Sequence, residues 1–138
     1  MITSAVLDHV ATVEPDIESA VTRHVELLGF RLLRWGRHIA TGRRIAMLAD
    51  TSGSKVELIE IEAGAGVEEA RRQLAHVAYR TGDVDRLHAV LLAAGFAELR
   101  PPGRLEPARA RTSLLCDPAG AQLQLISYDP DSPDLVTA

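Results

Sequence analysis

The sequence is poor in two kinds of residue that often stabilise small proteins. It contains one cysteine, Cys116, among 138 residues, so no disulfide can form within the chain. A lone cysteine fits a reducing compartment. Aromatic residues make up only 4% of the chain, whereas hydrophobic residues make up 46%. We therefore expect a core built mainly from Leu, Val, Ile and Ala.

Long apolar runs and a basic excess are also missing. A membrane-spanning helix needs about 18 consecutive apolar residues, and a signal peptide needs a basic segment followed by an apolar run; the sequence shows neither. The net charge is −4, which disfavours nucleic acid as a partner because phosphate binding depends on Lys and Arg. We expect a cytoplasmic protein that binds a small molecule rather than a membrane or nucleic acid.

What the sequence does contain is an internal repeat. The segment 7–11 (LDHVA) returns 67 residues later as 74–78 (LAHVA), and 56–59 (VELI) returns as 123–126 (LQLI). Between them, matches recur in the same order along both halves: Asp16 with Asp83, Gly29 with Gly95, Asp50 with Asp117, and Gly53 with Gly120. Matches in this order indicate a duplication.

Each half has the pattern of a strand, a helix and three further strands. Asp16 and Asp83 precede apolar stripes at helical spacing, and Gly29 and Gly95 follow those stripes. The predicted organisation is a first βαβββ module over residues 1–62, a linker over 63–73, a second βαβββ module over 74–128, and a flexible tail over 129–138. Residues 67–74, at the end of the linker, could form a helical turn. The tail is acidic and interrupted by proline, which is why we expect it to be flexible.

Four strand residues stand at equivalent places in the repeat. His9 aligns with His76, and Glu57 aligns with Gln124. Glu57 shares one face of its strand with Ile59 and Ile61, and a carboxylate in such surroundings is costly to bury unless a partner compensates it. Two imidazoles, a carboxylate and an amide oxygen form a donor set that suits a divalent transition metal.

The segments that carry these residues resemble those of the vicinal oxygen chelate superfamily, which includes glyoxalases, bleomycin-resistance proteins and methylmalonyl-CoA epimerases. LDHVATVEPDIESA and LAHVAYRTGDVD resemble the first strands of its two modules. SKVELIEI and DPAGAQLQLISY resemble the strands that carry its second and fourth ligands. The resemblance extends over about residues 5–128.

The resemblance implies an α+β fold in which the sheets of two tandem βαβββ modules curl into a partial barrel around one cavity, usually within a homodimer. Its metal ligands would be His9, Glu57, His76 and Gln124, and the metal could be nickel, cobalt, zinc, manganese or iron. The implied activity is that of a lyase, isomerase or epimerase on a small oxygen-rich substrate. Glu57 or a group of the substrate itself is the expected proton carrier. Tyr79, further along the strand of His76, is expected to share its face and to orient a substrate.

The sequence departs from this family at the fourth ligand. Most metal-dependent isomerases of the family have a glutamate there, and Gln124 cannot act as a base near neutral pH. The methylmalonyl-CoA epimerases place a further glutamate on the third strand, where this chain has the segment 44–49 (RIAMLA). His24 and His88, on predicted helices among charged neighbours, are expected to be surface residues.

Two other functions therefore stay open. The first is a small-molecule binding protein of the bleomycin-resistance type, without catalysis. The second is an extradiol-type dioxygenase with iron held by two histidines and a glutamate. We rank the dioxygenase last, because its glutamate usually occupies the fourth ligand position rather than the second.

Overall fold

The computed structural model describes residues 4–136. The elements follow the order predicted for two βαβββ modules, with an additional helix between them, which confirms the α+β class. In chain order they are β1 (Ala5–Glu14), α1 (Ile17–Glu26), β2 (Arg31–Arg37), β3 (Arg44–Ala49), β4 (Lys55–Glu60), α2 (Val67–Leu74), β5 (His76–Thr81), α3 (Val84–Ala93), β6 (Ala97–Leu105), β7 (Ala110–Cys116) and β8 (Gln122–Tyr128).

The strands of the first module lie in the order β2-β3-β4-β1, and those of the second module lie in the order β5-β8-β7-β6. In each module the first strand runs parallel to the last, and the other neighbours are antiparallel. The chain divides into two compact units. The first unit comprises residues 9–75 with Val136, and the second comprises residues 4–8 with 76–135.

The two long helices begin with the same hydrogen bond. The carboxylate of Asp16 accepts from the backbone N–H of Ser19, and that of Asp83 accepts from the backbone N–H of Arg86, both at 3.1 Å. The hydroxyl and backbone of Ser19 also hold the pKa of Asp16 below its ordinary value. Both aspartates are N-caps, and they stand at the helix starts that the sequence predicts.

Two further side-chain contacts repeat between the units. Arg44 at the start of β3 donates to Glu18 in the first turn of α1 at 2.9 Å. Arg111 on β7, at the equivalent place, donates to Asp85 in the first turn of α3 at 2.6 Å. The duplication therefore extends to the ion pair that connects each helix to its sheet.

Helix α2 lies in the segment predicted as a linker. Its apolar residues Val67, Ala70 and Leu74 follow helical spacing and pack over Val13 and Ile61. Leu74 also contacts the buried cluster of Ala11, Ile45 and Ile59. The helix thus covers part of the sheet face that carries His9 and Glu57.

The C-terminal segment is packed where the sequence predicts a flexible tail. Ser132 and Asp134 are buried, and the hydroxyl of Ser132 donates to the backbone carbonyl of Ala108. Arg104 also donates to Asp129 at 2.8 Å. Polar residues in the tail therefore order it as far as the structure describes it, and residues 137 and 138 lie outside the described range. Within residues 4–136, no helix has the length and apolar character to cross a membrane.

Candidate metal centre

His9 and Glu57 lie together on one face of the first unit. Strands β1 and β4 are parallel, and Ala11 is the register partner of Glu57. His9 is two residues before Ala11, so the alternation of a strand directs it to the same face. Its Nε2 lies 3.7 Å from Oε1 of Glu57. That separation is too long for a hydrogen bond, but it suits two atoms that bind a common ion.

His76 and Gln124 have the corresponding positions in the second unit. Strands β5 and β8 are also parallel, and Ala78 is the register partner of Gln124. His76 is two residues before Ala78 and therefore shares a face with Gln124. The two registers differ by the 67 residues of the repeat, which is the relation that the sequence predicts for these four residues.

The separation of His9 and Glu57 fits a shared ion. Two atoms bound to one ion at about 2.1 Å can be at most about 4.2 Å apart, and Nε2 of His9 and Oε1 of Glu57 are 3.7 Å apart. The repeat predicts that His76 adds a second imidazole to this pair. Two imidazoles and a carboxylate form a donor set that fits zinc, nickel, cobalt, manganese or iron.

The amide of Gln124 is held by a buried hydrogen bond. Its Nε2 donates to the hydroxyl of Thr112 at 2.8 Å, and that hydroxyl donates to the backbone carbonyl of Leu125 at 2.8 Å. Gln124 is 7% exposed and Thr112 is 3% exposed. The amide oxygen is therefore the atom of Gln124 that can act as a ligand.

Tyr79 does not share the face of His76, contrary to the prediction. It is three residues beyond His76, so the alternation of β5 directs it to the opposite face. There it packs against the core formed by Val84, Leu115 and Leu125 under α3. Tyr79 therefore contributes to the core, and we assign it no role at the candidate centre.

Strand β3 contributes only apolar residues to the face of Glu57. Met47 is the register partner of Glu57, and Ile45 and Ala49 share its face by alternation. All three are at most 3% exposed. The third strand therefore offers no second proton carrier beside Glu57, as the sequence predicts.

A match to a protein-family model decides the family. Residues 8–110 match the model described as Glyoxalase/Bleomycin resistance protein/Dioxygenase superfamily. The chain belongs to this superfamily. The resemblance predicted from the four segments is thereby confirmed. No curated protein matches the sequence.

Solved structures of the superfamily's fold include methylmalonyl-CoA epimerases. A variant of the Streptomyces coelicolor enzyme in complex with 2-nitronate-propionyl-CoA has a TM-score of 0.74 and 23% identity, over 95% of this chain and 99% of that one. The epimerase from Mycobacterium tuberculosis has a TM-score of 0.72 and 21% identity, over 94% of both chains. A hypothetical protein from Bacillus halodurans has a TM-score of 0.74 and 20% identity, over 94% of this chain and 98% of that one. At these identities the likeness establishes the fold.

One feature of this superfamily member was not predicted from its sequence. The sequence predicts His88 at the surface, but this residue of α3 is only 4% exposed. Its Nδ1 lies 2.8 Å from the hydroxyl of Ser113 on β7, and its Nε2 lies 2.7 Å from a carboxylate oxygen of Glu98 on β6. The prediction was wrong because these partners are distant in sequence and make burial of the ring possible. We refer to His88, Ser113 and Glu98 as the polar trio.

Proposed function

We propose that this protein is a metal-dependent enzyme of the glyoxalase type, a lyase, isomerase or epimerase that acts on a small oxygen-rich substrate. The observation that carries the proposal is the pair of His9 and Glu57, whose Nε2 and Oε1 atoms lie 3.7 Å apart in the first unit. His76 and Gln124 have the corresponding positions in the second unit. Gln124 would supply the fourth ligand through its amide oxygen. A divalent metal in this set would act as a Lewis acid toward substrate oxygens.

Glu57 is the residue best suited to move a proton. Its side chain is 14% exposed, so it is buried enough to have a defined position and still accessible. Gln124, at the equivalent place in the repeat, has no titratable group, and β3 offers Ile45, Met47 and Ala49 on the face of Glu57. This arrangement favours a reaction with one protein-borne proton carrier over an epimerisation that needs two.

The structural neighbours suggest which substrates to screen first. Methylmalonyl-CoA epimerases have been solved with methylmalonyl-CoA and with 2-nitronate-propionyl-CoA. An acyl thioester with a proton to lose next to its carbonyl group is therefore the first substrate class we would test. We also expect a cytoplasmic homodimer, as is usual for this superfamily.

A binding protein of the bleomycin-resistance type is the second candidate. The amide of Gln124 in place of a carboxylate and the apolar residues of β3 both favour it, because a protein that only binds its ligand needs no proton carrier. The two candidates differ in their need for a metal. A metal measurement therefore separates them.

The test is the metal content per chain in protein purified without a polyhistidine tag. We expect close to one divalent ion per chain in the wild type and none in His76→Ala, since loss of one imidazole leaves an incomplete site. His24→Ala is the matched control. Nδ1 of His24 donates to the backbone carbonyl of Ala20 within its own helix, so this variant should leave the metal content unchanged.

Two results would contradict the enzyme proposal. One is a wild-type protein that is empty and takes up no added nickel, cobalt or zinc. The other is a His76→Ala variant that keeps its metal. Either result would direct attention to ligand-binding screens with antibiotics and hydrophobic metabolites.

A further inference from the structure

The hydroxyl of Thr112 has only one hydrogen, and its neighbours determine where that hydrogen points. The backbone carbonyl of Leu125, 2.8 Å away, can only accept, so it takes the hydrogen of Thr112. The oxygen of Thr112 is then left as an acceptor. The Gln124 atom that lies 2.8 Å from it must therefore be the NH₂ group.

This chain of hydrogen bonds solves a problem that an amide ligand has and a carboxylate does not. Only one of the two terminal atoms of an amide can bind a metal, whereas both oxygens of a carboxylate can. The wrong orientation of Gln124 would present NH₂ to the ion. We propose that Thr112 is a positioning residue for the candidate metal centre, and that it keeps the oxygen of Gln124 available as a ligand. The inference rests on the metal site proposed above.

The first unit supplies the comparison. The residue equivalent to Thr112 is Ile45, which packs in an apolar cluster with Ala11 and Ile59. The residue equivalent to Gln124 is Glu57, whose two oxygens are interchangeable as ligands. The amide of Gln124 therefore has an orienting hydroxyl beside it, that of Thr112. The carboxylate of Glu57 has the hydrocarbon side chain of Ile45 at the equivalent position.

Burial makes the orientation strict. Thr112 and Gln124 are 3% and 7% exposed, so water has little access to replace a lost hydrogen bond. Without the hydroxyl, the NH₂ group would lose its partner, and rotation of the amide would cost little. We therefore expect metal affinity to depend on a residue that is not itself a ligand, as it does for other groups that orient ligands.

The experiment measures Zn²⁺ affinity by competition with a chromophoric chelator. We expect Thr112→Val to weaken binding about tenfold and Thr112→Ser, which keeps the hydroxyl, to restore most of the affinity. In a Gln124→Ala background, Thr112→Val should have no further effect.

Thr81→Val is the matched control, because Thr81 is also buried in the second unit but accepts from the backbone N–H of Asp83 at the start of α3. If Thr112→Val does not fold, Thr112→Ala removes the same hydroxyl without adding a methyl group.

A second measurement follows the hydrogen bond in the metal-free protein. The side-chain NH₂ protons of Gln124 should exchange slowly with solvent in the wild type and faster in Thr112→Val, as seen by NMR. Wild-type Zn²⁺ binding with equal affinity in Thr112→Val would overturn the inference and leave the metal site intact. A wild type that binds no Zn²⁺, nickel or cobalt would overturn the metal site, and the inference with it.

Discussion

Helices α1 and α3 pack on the sheets of their units with residues at equivalent positions of the repeat. At three of these positions the first unit has apolar residues and the second unit has polar ones. Where α1 meets its sheet, the residues are Val21, Leu32 and Ala46, all part of one apolar cluster. Where α3 meets its sheet, the equivalent positions hold the polar trio of His88, Glu98 and Ser113. The strand registers support the equivalence, because Leu32 is paired with Leu48, and Glu98 with Leu115.

The difference teaches what this fold requires beneath a helix. The polar trio is tolerated because both ring nitrogens of His88 have a partner and because the side chain of Glu98 is 43% exposed. The network thus leads from a fully buried hydroxyl to a carboxylate in contact with solvent. The fold needs close packing at these positions and no buried polar atom without a partner. An apolar cluster meets this need in the first unit, and a fully hydrogen-bonded polar network meets it in the second.

The largest effect is expected from breaking the polar trio at its centre. His88→Ala should lower the free energy of unfolding by about 3 kcal/mol, because it leaves a cavity and takes the partner from the buried hydroxyl of Ser113. The matched change in the first unit, Val21→Ala, should cost only about 1.5 kcal/mol, since it removes two buried methyl groups. Urea unfolding of both variants measures the difference. Equal losses would mean that the hydrogen bonds of His88 contribute little.

Replacing the whole trio should have a much smaller effect. The triple variant His88→Val, Glu98→Leu and Ser113→Ala restores the side chains of the first unit, and its free energy of unfolding should stay within about 1 kcal/mol of the wild type. The reason is that it removes all three polar groups together and leaves none of them buried without a partner. A loss as large as the sum of the three single changes would show that the second unit cannot accept the apolar arrangement.

The smallest effect on stability is expected from the ion pair of Arg44 with Glu60, which has no equivalent in the second unit. Arg44 donates to Glu60 at 2.9 Å in addition to Glu18, whereas the residue equivalent to Glu60 in the second unit is Ser127. The hydrogen bonds from Arg44 hold the pKa of Glu60 below its ordinary value of 4.5. A lowered pKa means that Glu60 stabilises the fold above pH 4.5 and that this contribution is lost as the pH falls further.

The corresponding variant is Glu60→Gln. Its urea midpoint should lie below that of the wild type at pH 7, and the gap should close as the pH falls below 4.5. Ser127→Ala, the matched change in the second unit, should show no such dependence. A gap for Glu60→Gln that stays constant with pH would exclude the ionised carboxylate as its cause.

Several features of the structure were accessible from local sequence patterns. The caps at Asp16 and Asp83 follow from residue type and position, and the faces of Glu57 and Gln124 follow from strand alternation. Strand alternation, applied correctly, also predicts the face of Tyr79. It is three residues from His76, an odd number, and so belongs to the opposite face. The sequence also predicts helix α2, because Val67, Ala70 and Leu74 have helical spacing.

Other features depended on contacts that no local pattern reveals. The burial of His88 requires Ser113 and Glu98, which lie 25 and 10 residues away on two different strands. The order of the tail depends on contacts of Asp129 and Ser132 with residues of β6 and of the turn before β7. The roles of His9, Glu57, His76 and Gln124 as metal ligands stay predictions until the metal content is measured.

The sequence by itself determined the duplication, the βαβββ order and the pairs of equivalent residues, because these depend on periodicity and on a fixed offset between two halves of one chain. Only the tertiary structure decided that His88 is buried, that Thr112 meets the amide of Gln124, and that Tyr79 packs under α3. Each of these depends on which side chains from separate strands meet, and the free energy of a polar group in a protein is decided by the partners it finds there.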